Sequence, residues 1–214
     1  MNGDSFTPLR VAIAGSRSLP GVRQLLASPN RGRLFELVCA ISGDDHIAER
    51  EDLEMFGIPL VQSPDDVESD HIFLTSGSFP LDSRTYVLDT GDVLGALFAG
   101  ATETRSTMCL ADGTPFLVSG PFHVPPIIDD ARARGDAEMI EAYAKLHRRW
   151  MIEASYGVML QKAIEFLAAG SMQIVNGVVW IDGVPGPCRM GDAPASCHEQ
   201  EEGVPIRCPF IEAR

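Results

Sequence analysis

Short apolar runs alternate with polar turns and helical patterns along the first ninety residues. The runs cover residues 9–14, 35–42, 58–61 and 71–74, and helical patterns lie around Val22–Leu26 and over residues 46–56. Continuous apolar runs of this length are typical of strands that a parallel sheet buries on both faces. The order of strand, helix and strand predicts an α/β fold with a doubly wound, mostly parallel, Rossmann-like sheet.

The second half of the chain departs from this rhythm. Its predicted elements are strands at 86–88, 104–110 and 115–119, helices at 93–100 and 129–169, and a hairpin formed by 172–175 and 178–181. Asp112 and Gly113 join the strands predicted at 104–110 and 115–119, and Asn176 and Gly177 form the turn of the hairpin. Both pairs are favoured in turns. We therefore predict one domain over residues 1–183 and a Pro-, Cys- and acid-containing tail over 184–214.

The charge balance removes one class of partner. The chain has 17 basic and 30 acidic residues and a net charge of −13. Proteins that bind nucleic acid need clustered cations to neutralise phosphates, so no nucleic-acid partner is expected. The sequence contains no apolar stretch of about 18 residues and no signal-like start, so a cytoplasmic protein without a membrane partner is expected.

Two segments carry motifs of a known protein family. One is ALFAGATETRST at 96–107 with DGTP at 112–115, and the other is the final helix at 143–170 with its hairpin. These segments resemble the folate-dependent formyltransferases, in particular phosphoribosylglycinamide formyltransferase. The resemblance implies the formyltransferase fold, closed by a C-terminal helix and β-hairpin. It also implies transfer of a formyl group from 10-formyltetrahydrofolate, as co-substrate, to an amine such as glycinamide ribonucleotide. The expected partners are a folate, a phosphorylated amine and a second copy in a homodimer.

The resemblance also indicates a catalytic residue. The family uses an Asn and a His in an N-x-H-P-S loop together with an Asp, and Asp112 matches that Asp. Between Gly77 and Ala96 the chain has neither Asn nor His. Formyl transfer needs a donor for the oxyanion and a proton for the leaving nitrogen. Two hypotheses follow: a formyltransferase with Asp112 as its retained catalytic residue, or an inactive homologue that binds a ligand or a protein.

Other side chains offer replacements for the missing groups. Asp89 and Asp92 lie in the shortened loop, where they also suit solvated turns. His123 and His147 are alternative imidazoles, which packing at a strand end and on a helix face would equally explain. Asp112 itself fits a simple turn aspartate as well as a catalytic one.

Two polar loops follow predicted strands and form the predicted ligand site. Gly15, Ser16 and Arg17 end the first strand, where a phosphate could meet free N–H groups and one cation. Ser76, Gly77 and Ser78 end the fourth strand, at the sheet edge where open sheets bind ligands. No metal is expected, because the cysteines and histidine of the tail lack a close C-x₂₋₄-C pair; these are Cys188, Cys197, His198 and Cys208.

Overall fold

The computed structural model describes residues 7–175 and 178–190. An eight-stranded sheet forms its centre. In spatial order its strands are β13 (Cys188–Arg189), β8 (Pro115–Val118), β7 (Thr107–Leu110), β5 (Thr85–Asp89), β4 (His71–Leu74), β1 (Leu9–Ala14), β2 (Phe35–Ile41) and β3 (Leu60–Val61). Only β7 runs against the others in this sheet. The predicted doubly wound, mostly parallel sheet is confirmed.

The first strand shows why the apolar runs are continuous. Val11 and Ile13 point into one core with Phe73 and Leu160, whereas Ala12 and Ala14 point into a second core with Ile72. Successive side chains of a strand face opposite sides of the sheet. Because both sides are covered, both sets of positions must be apolar.

Five helices accompany the sheet in the described part of the chain. They are α1 (Val22–Leu26), α2 (Arg50–Met55), α3 (Val93–Phe98), α4 (Ile127–Ala133) and α5 (Ala137–Ala168), with a 3₁₀ turn at Pro64–Asp66. The helical region predicted at 129–169 is therefore two helices. Gly135 separates them with a φ of +68°, a conformation that glycine adopts without strain, and Asp136 caps α5 by accepting the N–H of Met139.

Close packing of α1 on α5 sets the position of the loop after β1. A Cβ on Gly21 would lie 2.6 Å from Cδ1 of Leu160, and a Cβ on Gly157 would lie 2.6 Å from Cγ of Gln24. Gly21 also has a φ of +88°. The two glycines thus allow the α1 segment to approach the long helix more closely than side chains would permit.

Residues 103–123 form more strands than the sequence predicts. Instead of one strand over 104–110, β6 (Glu103–Thr104) pairs with β9 (Phe122–His123) in a separate two-stranded sheet, and β7 joins the central sheet. The change occurs at Ser106, which is fully buried and whose amide donates to Oγ of Ser119 at 2.9 Å. A side-chain acceptor thus replaces a strand partner at this bend.

The end of the described chain forms a three-stranded sheet of its own and adds one strand to the central sheet. The predicted hairpin is present as β10 (Met172–Val175) and β11 (Val178–Ile181), and β12 (Val184–Pro185) extends it. Cys188, expected in the tail, lies in β13 and pairs with Leu117 at the edge of the central sheet. Cys197, His198 and Cys208 lie outside the described residues.

Among residues 7–175 and 178–190, no helix has both the length and the apolar character needed to span a membrane.

Candidate functional site

The two predicted ligand loops meet at the carboxyl edge of the sheet. They follow β1 and β4, which are adjacent and parallel. The amide of Ser16 donates to Oγ of Ser76 at 3.2 Å, and the Ser76 hydroxyl donates to the carbonyl oxygen of Ser18 at 2.6 Å. Gly15 and Gly77 lie at the contact, where a Cβ on Gly77 would be 2.7 Å from Oγ of Ser16. The tertiary structure therefore brings the two predicted ligand loops into direct contact through side-chain hydrogen bonds.

The first loop does not form the N-terminus of a helix. Helix α1 begins only at Val22, and the amide of Gly15 already donates to the carbonyl oxygen of Ile41 at 3.0 Å. The Ser16 amide is likewise engaged by Ser76. Arg17 is exposed and forms no ion pair with a described residue. Of the three residues Gly15, Ser16 and Arg17, only Arg17 offers a charge to a ligand.

A cleft of about 570 Å³ opens beside this loop. Small-molecule sites generally have volumes of about 300–1,000 Å³, so the cleft can hold a ligand of that size. One wall is the segment between β1 and α1, with Ser18 and Leu19, and the other is the middle of α5. The lining side chains on α5 are Lys145, Arg148, Arg149, Ile152 and Glu153, and Arg23, Gln24 and Glu49 complete the rim.

The cleft reverses the charge balance of the chain. Four cations and two carboxylates line it, whereas the whole chain has 17 basic against 30 acidic residues. Arg23 is paired with Asp52 at 2.7 Å and Arg149 with Glu153 at 2.7 Å. These ion pairs raise the pKa values of Arg23 and Arg149.

Lys145 and Arg148 are the cations of the cleft that remain available. Both side chains are exposed, and neither forms an ion pair or a side-chain hydrogen bond with another residue of the described segments. They stand three positions apart on α5, so their side chains project from the same face of the helix. Two cations on one face, without internal partners, form a local anion-attracting surface.

Tyr156 of α5 is buried, and two side chains of opposite charge act on its hydroxyl. Burial raises the pKa of Tyr156, the carboxylate of Asp89 acts in the same direction and the guanidinium of Arg148 opposes it. Tyr156 therefore lies within electrostatic reach of both side chains. The carboxylate of Asp89 itself accepts the N–H of Gly91 at 3.0 Å, and that of Asp92 caps α3 by accepting the N–H of Gly95 at 2.9 Å.

Comparison with solved structures identifies the architecture. No family model matches the sequence, and a search of curated proteins finds no significant match. Phosphoribosylglycinamide formyltransferase from Coxiella burnetii superposes with a TM-score of 0.60 at 17% identity, over 86% of this chain and 100% of that one. The enzyme from Anaplasma phagocytophilum gives 0.60 at 16% identity, over 83% and 96%. The chain has the formyltransferase fold.

A second enzyme with this fold is equally recognisable among the neighbours. Formyltetrahydrofolate deformylase from Pseudomonas putida superposes with a TM-score of 0.57 at 12% identity, over 82% of this chain and 70% of that one. The formyltransferase fold is thus shared with proteins of two named activities, and at these identities the similarity describes the fold alone.

In this formyltransferase fold, Asp112 lies away from the two serine loops. Because β7 is antiparallel to β5, the β7–β8 turn projects beyond the amino ends of the parallel strands. Val87 is level with Leu74 on one side and with Cys109 on the other. Ser76 and Asp112 are therefore separated by about five strand positions, on the order of 15 Å along the strands.

The carboxylate of Asp112 is held by its own turn. It accepts the N–H of Thr114 at 2.8 Å, and hydrogen bonds from Thr114 lower the pKa of Asp112. In the described ranges, no histidine hydrogen-bonds to Asp112 or contributes to this shift in pKa. The geometry is that of an aspartate stabilising a tight turn.

Neither of the alternative imidazoles, His147 and His123, lines the cleft. His147 is 1% exposed, with Nε2 at 2.8 Å from Oγ1 of Thr104 and Nδ1 at 2.9 Å from the hydroxyl of Tyr143. Burial lowers its pKa to about 4. His123 is exposed on β9, opposite Glu103. A neutral, buried imidazole such as His147 has no access to a ligand.

Within residues 7–175 and 178–190, no group of three or more His, Cys, Asp or Glu side chains is arranged to hold a metal ion. Cys39 is buried, and burial raises the pKa of its thiol to about 11.

The residues that sequence reasoning missed are the cations of the cleft. Lys145, Arg148 and Arg149 belong to the run KLHRR at 145–149, a dense basic run in an acidic chain. This basic run is the feature of the sequence that could have indicated an anion-binding surface. Only His147 of this run is a candidate at the level of sequence, because a helix projection alone does not reveal which loop lies opposite the helix.

Proposed function

We propose that this protein binds a small phosphorylated molecule in the cleft between the Ser18–Gln24 segment and α5. The observation that carries the proposal is the reversed charge of the cleft, four cations against two carboxylates in a chain of net charge −13. A local positive site in an acidic protein attracts a small anion. The acidic remainder of the surface repels polyanions such as nucleic acids.

Lys145 and Arg148 are the proposed phosphate ligands. Arg23 and Arg149 already have carboxylate partners at 2.7 Å, so a ligand would have to compete with those ion pairs. Lys145 and Arg148 face no such competition among the described residues. Arginine also suits phosphate because its planar N–H groups can donate two parallel hydrogen bonds. Ser18 lies on the same cleft and can add a neutral donor.

The fold and the cleft together support a chemical class for the proposed ligand. Two of the solved neighbours are named phosphoribosylglycinamide formyltransferases. We propose a phosphorylated amine of that kind as the ligand, with the phosphate bound by the α5 side chains Lys145 and Arg148. On this proposal the protein binds its ligand without catalysing a reaction and needs no catalytic imidazole.

Formyl transfer is the second candidate function. The neighbours named as formyltransferase and formyltetrahydrofolate deformylase favour it, and so does the match of Asp112 to a family aspartate. It would require a folate bound near Ser76, Gly77 and Ser78, and an acid for the leaving nitrogen. Asp112 lies at the other end of the strands and His147 is buried, which favours binding over catalysis.

Calorimetric titration tests the first proposal. Glycinamide ribonucleotide and ribose 5-phosphate should bind saturably, and unphosphorylated ribose should not. The double variant Lys145→Ala/Arg148→Ala should weaken binding about 100-fold, the value expected when two charged hydrogen-bond donors are lost. Arg134→Ala is the matched control, because Arg134 is exposed on the chain after α4 and does not line the cleft. Equal affinity in the double variant and the control would refute the proposal.

A turnover assay separates the two functions. The protein is incubated with 10-formyltetrahydrofolate and glycinamide ribonucleotide, and release of tetrahydrofolate is followed. The binding proposal expects no turnover above the background rate. Steady turnover that Asp112→Asn abolishes would establish the catalytic alternative instead.

A further inference from the structure

The two carboxylates that line the cleft differ in their partners. Glu153 forms an ion pair with Arg149, whose Nε lies 2.7 Å from Oε1 of Glu153. Oε2 of Glu49 instead accepts the backbone N–H of Leu19 at 2.9 Å, and within residues 7–175 and 178–190 Glu49 forms no ion pair. The charge of Glu153 is therefore compensated inside the protein, whereas the charge of Glu49 is held by a neutral amide.

The arginine that senses Glu49 is already engaged by a different carboxylate. The pKa of Arg23 is raised first by its hydrogen bond to Asp52, and Glu49 adds a smaller contribution. Nε of Arg23 lies 2.7 Å from Oδ2 of Asp52, and the guanidinium forms no ion pair with Glu49. In the described part of the cleft, Glu49 therefore remains an uncompensated negative charge.

The uncompensated charges of the cleft are separated by sign between its two walls. Lys145 and Arg148 project from α5, whereas Glu49 is fixed to Leu19 in the opposite wall, between β1 and α1. At about 570 Å³ the cleft is large enough for one small molecule to contact both walls. A ligand that matches this arrangement has an anionic group at one end and a cationic group at the other.

We infer that Glu49 selects ligands whose phosphate is accompanied by an ammonium group, because that group can donate a hydrogen bond to the carboxylate of Glu49. This selectivity rests on the proposed phosphate site and adds the residue that distinguishes an aminated from an unaminated sugar phosphate. Glu49 attracts the ammonium group of the one and repels the phosphate of the other, so attraction and repulsion both contribute to the preference.

The protonated amine is the form that this arrangement binds. An ammonium group has three N–H donors, and hydrogen bonds between charged groups are roughly twice as strong as those between neutral groups. The nitrogen of an ammonium group has no free electron pair with which to attack a formyl carbon. Recognition of the amine in this form therefore fits a binding protein better than the catalytic alternative.

Calorimetric titration of the full chain with glucosamine 6-phosphate and glucose 6-phosphate tests the role of Glu49. The two probes differ in a single group, which is an ammonium in the first and a hydroxyl in the second at about pH 6.5, where such an amine is protonated. The original protein should bind glucosamine 6-phosphate about tenfold more tightly, as expected for one hydrogen bond between charged groups in an open cleft.

The variant Glu49→Gln removes the charge and keeps a side-chain oxygen that can accept the N–H of Leu19. In this variant the two probes should bind with nearly equal affinity, and glucose 6-phosphate should bind at least as tightly as it binds the original protein. Glu51→Gln is the matched control, because Glu51 is exposed on α2 and does not line the cleft. The control should keep the tenfold preference.

Two results would overturn the role of Glu49 while leaving the phosphate site in place. One is equal binding of both probes to the original protein, and the other is an undiminished preference in Glu49→Gln. In either case Lys145→Ala/Arg148→Ala should still weaken both probes by the same factor, because it acts on the phosphate. If neither probe binds the original protein, both the role of Glu49 and the proposed phosphate site are overturned.

Discussion

The hydroxyl of Ser76 donates to the carbonyl oxygen of Ser18 across 2.6 Å and so ties the loop after β4 to the loop after β1. Oγ of Ser76 also accepts the amide N–H of Ser16. Ser76→Ala leaves two backbone groups unsatisfied and should lower the free energy of unfolding by about 1–2 kcal/mol. Ser78→Ala is the control, since Ser78 is exposed, and urea unfolding measures both. Equal losses in the two variants would contradict a structural role for this bond.

Gly15 is required by the close approach of its own loop. A Cβ at this position would collide with the carbonyl oxygen of Ser18, which is backbone and cannot move aside as a flexible side chain would. Gly15→Ala should destabilise the fold by about 1–3 kcal/mol, as overpacking of a filled site does. Gly43→Ala has no heavy atom within 4 Å of the added methyl and should leave stability nearly unchanged. Thermal unfolding of the two variants gives the comparison.

His147 should make stability depend on pH. Its pKa is lowered by burial to about 4 in the folded chain, against 6.5 ordinarily. The unfolded chain therefore binds a proton that the folded chain does not, and stability falls as pH decreases from about 6.5 to about 4. The loss attributable to this group is about 3 kcal/mol at the acid end. This loss of stability is absent above pH 7, where His147 is neutral in both the folded and the unfolded chain.

The variant His147→Gln isolates this contribution. Urea unfolding at pH 7, 6, 5 and 4 should show a shallower loss of stability for the variant than for the original chain. His123→Gln, on an exposed histidine, should keep the original slope. Parallel pH profiles for the original chain and His147→Gln would show that the imidazole is not held neutral by the fold.

Binding in the proposed cleft should respond to salt through Arg148. Removing one charged donor costs about 1.5–3 kcal/mol at low ionic strength, so Arg148→Ala should reduce affinity for ribose 5-phosphate by at least about tenfold. The difference between variant and original should shrink as salt is raised, because exposed charges are screened. A difference that is constant with salt would indicate a change of shape in the cleft instead of a lost charge.

Two aspartates in similar turns should differ in their effect on the ligand. Asp89 and Asp112 each accept the N–H of the residue two positions later. Asp89 is within electrostatic reach of Tyr156, as Arg148 is, whereas Asp112 lies at the opposite end of the strands. Asp89→Asn should therefore strengthen binding of ribose 5-phosphate, which has no amine, about two- to fourfold by removing a like charge, and Asp112→Asn should leave that affinity unchanged. Calorimetry on both variants provides the test, and an equal effect would be evidence against the proposed ligand position.

Much of the architecture could be predicted from local pattern. The apolar runs at β1 and β4 appear with the predicted bounds, and the turn-forming Gly57 and Gly100 have positive φ values as helix-ending glycines do. The hairpin β10–β11 also follows the prediction. These features depend on residues adjacent in sequence, because strand alternation and turn chemistry act over a few positions.

The division of residues 103–123 could not be predicted in this way. A single strand over 104–110 fits the apolar pattern, yet the chain bends at Ser106 because Ser119 and Ser155 hydrogen-bond to it from distant segments. Strand β13 is a similar case, since Cys188 finds its partner Leu117 more than seventy residues earlier. Pairing over such distances is decided by the whole sheet.

The sequence by itself determined the α/β class, the parallel core strands and the loops at Gly15–Arg17 and Ser76–Ser78, since each follows from short-range periodicity and turn residues. Only the tertiary structure decided what those loops face. It placed Asp112 beyond the opposite sheet edge, because β7 runs antiparallel, and it placed Lys145 and Arg148 beside Ser18, because Gly21 and Gly157 let α1 pack closely on α5. A site assembled from distant segments depends on strand direction and helix packing, which local residue patterns do not specify.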